Sequence, residues 1–251
     1  SWHFQPTIFP RNRVFLRKSC NCSLLMNALL IAGSDTDAGK TVLTSALAAY
    51  WQIYCRNRSL GILKPLQTGV GDRELYSQIF SLNQSLEEIT PLHFSAPLAP
   101  PLAAEKEGRP IELGTVWQAF EKLQKQRDFV LVEALGGLGS PITYELTVAD
   151  LARDWGLPTV LVVPVKLGCI GQAVANVALA RQSKVQLKGI VLNCVQPRSG
   201  QEIADWASID LIQAVTNTLV LGVIPYLDEP KDINKLAHVA SNLELERLMP
   251  V

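Results

Sequence analysis

The stretch Gly33-Ser34-Asp35-Thr36-Asp37-Ala38-Gly39-Lys40-Thr41 constrains this chain more than any other. It lies between a short apolar run, 27–32, and an alanine-rich segment of helical spacing, 40–54. A loop in that place offers backbone N–H groups that wrap an anionic phosphate, and the helix behind it points its positive dipole end at the same spot. Lys40 is then placed to reach the β- and γ-phosphates of a nucleoside triphosphate, and the Thr41 hydroxyl to bind Mg2+. The strict pattern G-x-x-x-x-G-K-[ST] is missed by one place, because its first position holds Ser34 and the glycine is Gly33. A tight strand–helix turn can carry Gly-Lys-Thr by chance; the flanking strand and helix favour the phosphate loop.

From residue 26 onward strand-like and helix-like segments alternate. Apolar runs at 27–32, 60–63, 128–132, 159–163, 187–192 and 219–224 read as strands. Helical spacing appears at 40–54, 72–82, 112–126, 147–155, 170–182, 209–218 and 233–248, with a proline-rich loop (Pro97, Pro100, Pro101, Pro110) between the second and third helices. Strands that read as continuous Val/Ile/Leu runs are buried on both faces, which is the habit of parallel sheets. The expectation is therefore an α/β fold, a doubly wound and mostly parallel sheet of the P-loop nucleoside triphosphate hydrolase type, formed by one domain over 26–251. Ligands of such sheets sit beyond the carboxyl ends of the strands.

Composition narrows the partners. Of 251 residues 48% are hydrophobic, enough for a substantial core, and Lys+Arg equals Asp+Glu at 23 each. A balanced charge argues against a broad nucleic-acid surface. The longest apolar stretches, such as 157–165, fall short of the roughly 18 residues that cross a bilayer, so no membrane partner is expected. Cys20, Cys22, Cys55, Cys169 and Cys194 are scattered and odd in number, and His3, His93 and His238 lie far from them. A cytoplasmic setting without zinc or a disulfide framework fits that usage. Residues 1–25 differ from the rest: the chain has no acid before Asp35, while Arg11, Arg13, Arg17 and Lys18 are all basic. They read as an unstructured extension, an added segment or a start placed upstream of Met26, with an Arg-rich transit-like peptide as the sharper reading.

The other strand ends carry further chemistry. After 60–63 comes Lys64-Pro65-Leu66-Gln67-Thr68-Gly69, whose lysine either neutralises charge on a reacting group or is an ordinary surface lysine before a turn. Asp72 is either a metal ligand or a helix N-cap. The run 129–132 leads to Glu133-Ala134-Leu135-Gly136-Gly137, a Walker-B-like arrangement with Glu in place of Asp. A carboxylate there can hold Mg2+, and the glycines allow close approach to the backbone. Cys169, with no histidine near it in sequence, reads as a structural thiol rather than a nucleophile. The Asn193 amide suits an adenine edge, or satisfies its own turn.

Together these residues resemble the dethiobiotin synthetase family. Its loop G-T-D-T-x-V-G-K-T appears as G-S-D-T-D-A-G-K-T, its K-P-x-x-[ST]-G at 64–69, its V-E-G-A-G-G as V-E-A-L-G-G at 132–137, and its K-L-G-C-I at 166–170. A late strand ending on Asn193 and a G-x-I-P-[WY]-L at 222–227 complete the series in order. The resemblance implies ATP-dependent ring closure of 7,8-diaminopelargonate with CO2 or bicarbonate, with Mg2+, in a homodimer. It implies that Asp37, Ala38, Gly39, Lys40, Thr41 and Val42 cradle ATP and that Thr41, Asp72 and Glu133 serve Mg2+. Lys40 and Lys64 would act on the reacting phosphate and carbamate, with Ala134, Leu135 and Gly136 beside them. Asn193, Cys194, Pro225, Tyr226 and Leu227 would hold the adenine, with Asp232 near the ribose. Thr36 and Thr68 would contact the diamine, and Gly168, Cys169 and Ile170 the substrate tail across a two-fold interface.

The chain departs from the family at Ala134 and Leu135, which replace a Gly-Ala pair, and at Gly171 and Gln172, which stand where Asn-His is frequent. Rivals are a partition ATPase of the ParA/MinD kind, an amide-forming ligase, and a nucleotide-binding module without catalysis. The first kind carries a second loop lysine where this chain has Asp35.

Overall fold

The computed structural model describes residues 27–251. The expected extension over 1–25 lies outside the described residues. In chain order the elements are β1 (Ala28–Gly33), α1 (Lys40–Tyr54), β2 (Leu60–Leu63), β3 (Leu66–Thr68), α2 (Asp72–Ile79), α3 (Leu86–Ile89), β4 (Leu92–Phe94) and α4 (Pro100–Glu107). Then follow α5 (Leu113–Gln126), β5 (Phe129–Gly137), α6 (Val148–Asp154), β6 (Thr159–Pro164), α7 (Cys169–Gln182) and β7 (Leu187–Asn193). The chain closes with α8 (Gly200–Trp206), α9 (Ile209–Thr216), β8 (Val220–Ile224), α10 (Ile233–Ser241) and α11 (Leu245–Leu248).

Six strands form one sheet in the order β2-β5-β1-β6-β7-β8, every neighbouring pair parallel. The two-residue period of a strand sends alternate side chains to opposite faces. Leu29 and Ile31 of β1 join Leu131, Val160 and Val162 under α1 and α10, whereas Ala28, Leu30 and Ala32 join Val130 and Val132 under α4, α5 and α6. A third cluster under α7 and α9 takes Leu161, Val163, Ile190 and Leu192. The doubly wound sheet expected from the apolar runs is thus present, with both faces covered. Small residues on α1, Ala46, Ala48 and Ala49, let it lie close between sheet and α10, and all are buried.

Four sequence expectations change. The proline-rich loop contains β4 and α4, because Pro100 and Pro101 occupy the first helical positions, where a missing N–H costs nothing. The segment 66–68 is a short strand, pairing with β4 in a separate two-stranded parallel sheet. The closing helix is two helices, broken where the Glu244 N–H leaves the helical pattern to donate to Leu221 of β8. β5 runs on through Gly137, so Glu133 lies inside a strand, paired in register with Ile31. Its other neighbour, β2, pairs only as far as Leu63 with Val132, which leaves Glu133 open beyond the end of β2. Among the described residues no helix is long and apolar enough to cross a membrane.

Candidate active site

The carboxyl ends of β1, β2 and β5 converge on one cavity of about 830 Å³. Thr36, Asp37, Gly39, Lys40, Thr41, Lys64, Thr68, Asp72, Glu133, Leu135 and Gly136 all contribute to its lining. Residues up to 100 positions apart in sequence meet there because every strand of a parallel sheet points the same end at it.

The phosphate loop is built around Gly39. Its φ of 94° is left-handed, and a Cβ there would stand 1.9 Å from Asn193 Nδ2. Only glycine meets both demands. No side chain caps the first turn of α1, which leaves that helix start to an anionic ligand. Asn193, at the end of β7, is buried and donates to the Ala38 carbonyl at 3.0 Å, so its amide N–H supports the loop from below. Asp35 accepts from the Thr36 N–H at 2.6 Å and faces Lys166 at 3.4 Å, tying the loop to the end of β6. That backbone bond, helped by Lys166, holds the Asp35 carboxyl below its usual range.

Lys40 is buried, with Nζ donating to the carbonyls of Thr36 at 2.8 Å and Asp35 at 3.3 Å. Burial lowers its pKa, with the attraction of Glu133 acting against the shift. Lys64 lies deeper, 3% exposed, and its ammonium bridges Asp72 and Glu133, the latter at 2.8 Å. Burial alone would depress this lysine, but the two carboxylates outweigh it and raise its pKa. Asp72 is lowered: burial opposes ionisation, and Lys64 overcomes it. The ordinary surface-lysine reading of Lys64 is therefore set aside. Asp72 is not the N-cap of α2, since Gly71 holds that position and the aspartate reaches Lys64 and Thr41 instead.

The Thr41 hydroxyl lies 3.0 Å from Asp72 Oδ1 and 3.1 Å from Glu133 Oε1. Two carboxylates and one hydroxyl are a sparse set of hard oxygen donors, and no group of three His/Cys/Asp/Glu side chains forms a metal cluster among the described residues. Mg2+ is commonly held in that way, by one or two carboxylates with substrate phosphates supplying the rest, so the residues present fit the ion.

Sequence reasoning missed two partners of Glu133. Thr44 Oγ1 donates to Oε2 at 2.9 Å, and the fully buried Tyr76 hydroxyl donates to the same oxygen. Burial, reinforced by Glu133, pushes the Tyr76 phenol well above its ordinary pKa and keeps it a donor. The available signal was spacing: Tyr76 is one helical turn after Asp72, and Thr44 one turn after Lys40, each pair on one face.

The remaining sequence-derived residues fall elsewhere. Ala38, Ala134 and Cys194 are buried, and Val42 packs against the core under α1. Asp232 caps α10, accepting from Asn234 and Lys235 N–H groups at 2.8 and 3.1 Å. Pro225 and Tyr226 are exposed after β8, and Leu227 packs on the core. Gly168, Cys169 and Ile170 begin α7 and do not line the 830 Å³ cavity. The Cys169 thiol is buried against the Trp206 carbonyl, and burial raises its pKa, which suits a structural thiol rather than a nucleophile. Cys55, Cys169 and Cys194 are all free thiols.

A family model described as an AAA domain matches residues 27–233. Among solved structures, a ParA family ATPase from Chlorobium tepidum superposes with a TM-score of 0.56 at 15% identity, covering 89% of this chain and 99% of the other. The MinC:MinD cell division complex of Aquifex aeolicus gives 0.52 at 14%, covering 85% and 86%. Identities that low establish a shared P-loop α/β fold and nothing about activity. Curated sequences say more. The ATP-dependent dethiobiotin synthetase BioD of Gloeothece citriformis is 58% identical over 226 residues, 90% of this chain and all of that protein. The enzyme of the same name from Crocosphaera subtropica is 59% identical over 223 residues, and that from Synechocystis 53% over 222. With identity of this degree over nearly the whole described chain, the protein belongs to the ATP-dependent dethiobiotin synthetase family.

Proposed function

We propose that this protein closes the ureido ring of dethiobiotin from 7,8-diaminopelargonate, CO2 and ATP. The observation that carries the reading is the convergence of Lys40, Lys64, Thr41, Asp72 and Glu133 at one end of a cavity whose walls also hold Thr36 and Thr68. That end suits a triphosphate terminus, and the threonine-lined wall suits a polar diamine beside it.

One amine of the substrate takes up CO2, losing a proton, and becomes a carbamate. A carbamate oxygen attacks the γ-phosphorus of ATP and ADP leaves, giving a carbamic–phosphoric anhydride. The second amine attacks the anhydride carbonyl, phosphate departs, and loss of a proton leaves the five-membered cyclic urea. Lys40 and Lys64 supply fixed positive charge where negative charge gathers during phosphoryl transfer. Thr41, Asp72 and Glu133 are the residues that would hold Mg2+, which neutralises phosphate charge when bound. Asn193, with the turn at Pro225, Tyr226 and Leu227, would border the base, and Asp232 the ribose side.

The same reading gives a homodimer in which Gly168, Cys169 and Ile170 receive the aliphatic tail of a substrate held by a second copy. Supporting it, this helix start lies outside the cavity and is flanked by Leu167, which is 80% exposed. With the Cys169 thiol turned inward, the backbone would make that contact.

The test is phosphate release from Mg·ATP and bicarbonate, with and without the diamine, with dethiobiotin sought by mass. Diamine-dependent release with formation of the cyclic urea is expected. ATP hydrolysis indifferent to the diamine would remove this reading and leave a switch-type ATPase as the function to pursue.

A further inference from the structure

We infer that Tyr76, together with Thr44, is a positioning residue that pins one oxygen of Glu133 so that only the other is presented to a divalent cation. The inference rests on the proposal that Glu133 serves Mg2+ and extends it to the groups behind that carboxylate. The two oxygens of Glu133 have separate surroundings. Oε1 faces the cavity side, with Lys64 Nζ at 2.8 Å and Thr41 Oγ1 at 3.1 Å. Oε2 faces the protein interior, with Thr44 Oγ1 at 2.9 Å and the Tyr76 hydroxyl both donating to it. Glu133, Thr44 and Tyr76 are each fully buried, so water does not compete for Oε2.

The arrangement answers a problem that this sequence sets itself. A glutamate in the Walker-B-like place has one more side-chain torsion than an aspartate, hence more ways to miss the cation. Two hydroxyl donors on Oε2 remove that freedom and disfavour chelation by both oxygens. The donors come from different helices. Tyr76 stands one turn behind Asp72 on α2, so a single helix face delivers one metal-facing carboxylate and the clamp on the other. Thr44 stands one turn behind Lys40 on α1, and its one hydroxyl proton is shared between Oε2 and the Lys40 carbonyl, which also lies at 2.9 Å. Outer partners of this kind commonly change metal affinity 10–100-fold when removed.

The experiment titrates Mg2+ into the protein with a fluorescent, non-hydrolysable ATP analogue and records the concentration that half-saturates binding. Tyr76→Phe keeps the buried ring and loses only the hydroxyl. It should raise that concentration about 10-fold. The affinity for the same analogue in EDTA should stay within about twofold of wild type, a split that general loosening of the fold would not produce. Thr44→Val should raise the Mg2+ requirement in the same direction, and Thr44→Ser should restore it. An unchanged Mg2+ requirement in Tyr76→Phe, while Glu133→Gln raises it, overturns the inference and leaves the metal role of Glu133 intact. Equal losses with Mg2+ and in EDTA overturn it too. If Tyr76→Phe does not fold, the Thr44 pair decides: no difference between Val and Ser there overturns the clamp. A Glu133→Gln protein that binds Mg2+ and nucleotide like wild type removes both the metal reading and the inference built on it.

Discussion

At the scale of single residues, Lys64 shows how function and stability can share a group. It is a buried cation held between Asp72 and Glu133. Removing one partner of a buried ionic cluster costs about 3–5 kcal/mol, because the remaining charges lose their compensation. Lys64→Ala should therefore unfold at lower denaturant than wild type when both are compared in EDTA. The phosphate loop does not depend on this lysine, so binding of Mg·ATP should persist within a few-fold. Turnover should fall about 10²–10³-fold, the usual cost of losing one preorganised charge at a transition state. Near-normal turnover would refute the role assigned to Lys64. The sequence showed Lys64 and Glu133 because each directly follows an apolar run in a fold that gathers strand ends, Lys40 through the Gly-Lys-Thr of the phosphate loop, and Asp72 in the loop after the second strand. It left Lys64 and Asp72 ambiguous, since the pairing of Lys64 with Asp72, eight positions on, and with Glu133, 69 positions on, is a property of the folded chain. Tyr76 and Thr44 were hidden for a different reason: they sit inside helices, where a buried Tyr or Thr reads as core.

At the scale of elements, the entry to α2 decides where Asp72 points. Gln67 on β3 accepts from the Arg73 N–H at 3.1 Å and donates to Glu74 at 3.2 Å. Glu74 also accepts from the Gly71 N–H and from Arg73 Nε, at 3.1 and 2.8 Å. Burial opposes ionisation of Glu74, but Arg73 and these N–H donors prevail and lower its pKa from 4.5 to about 2. A carboxyl depressed in the folded state adds stability above its unfolded pKa, and loses it as pH falls through the folded value. The contribution is thus complete above about pH 5 and fades toward pH 2. Glu74 is partly exposed, so the expected loss in Glu74→Gln is only about 1 kcal/mol at pH 7. Denaturant unfolding from pH 7 downward should show the two proteins converging in acid; a gap independent of pH would mean that charge is not the cause. The short elements around this entry were the ones hidden from sequence. A three-residue strand has no period to read, and Pro100-Pro101 looks like loop until it is known to start a helix. The long buried strands and α1 were legible because their apolar runs and their flanking turns agree.

At the scale of the whole molecule, the site draws on α1, α2, β2 and β5, elements whose side chains share the two cores on either side of the sheet. The sequence could show that strands and helices alternate, but not the order β2-β5-β1-β6-β7-β8, which follows from how crossovers pack. That order places β5 between β2 and β1, bringing Glu133 next to both Lys64 and the phosphate loop. A ligand bridging these elements binds only the folded chain, so it should stabilise the molecule as a unit rather than one loop. At a hundred times its dissociation constant, such a ligand contributes about 2.7 kcal/mol. For a domain of this size, 1 kcal/mol moves Tm by about 2–4 °C, so Mg2+ with a non-hydrolysable ATP analogue should raise Tm by about 5–10 °C. Tryptophan fluorescence reports on both cores, because Trp51 is buried against Phe129 at the amino end of β5, opposite the site, and Trp155 is buried against Phe120 on the other face. Its transition should move together with that seen by circular dichroism. Saturating occupancy with no movement of the tryptophan transition would show that the nucleotide end of the sheet unfolds separately, and would break the link between the site and the core beneath it.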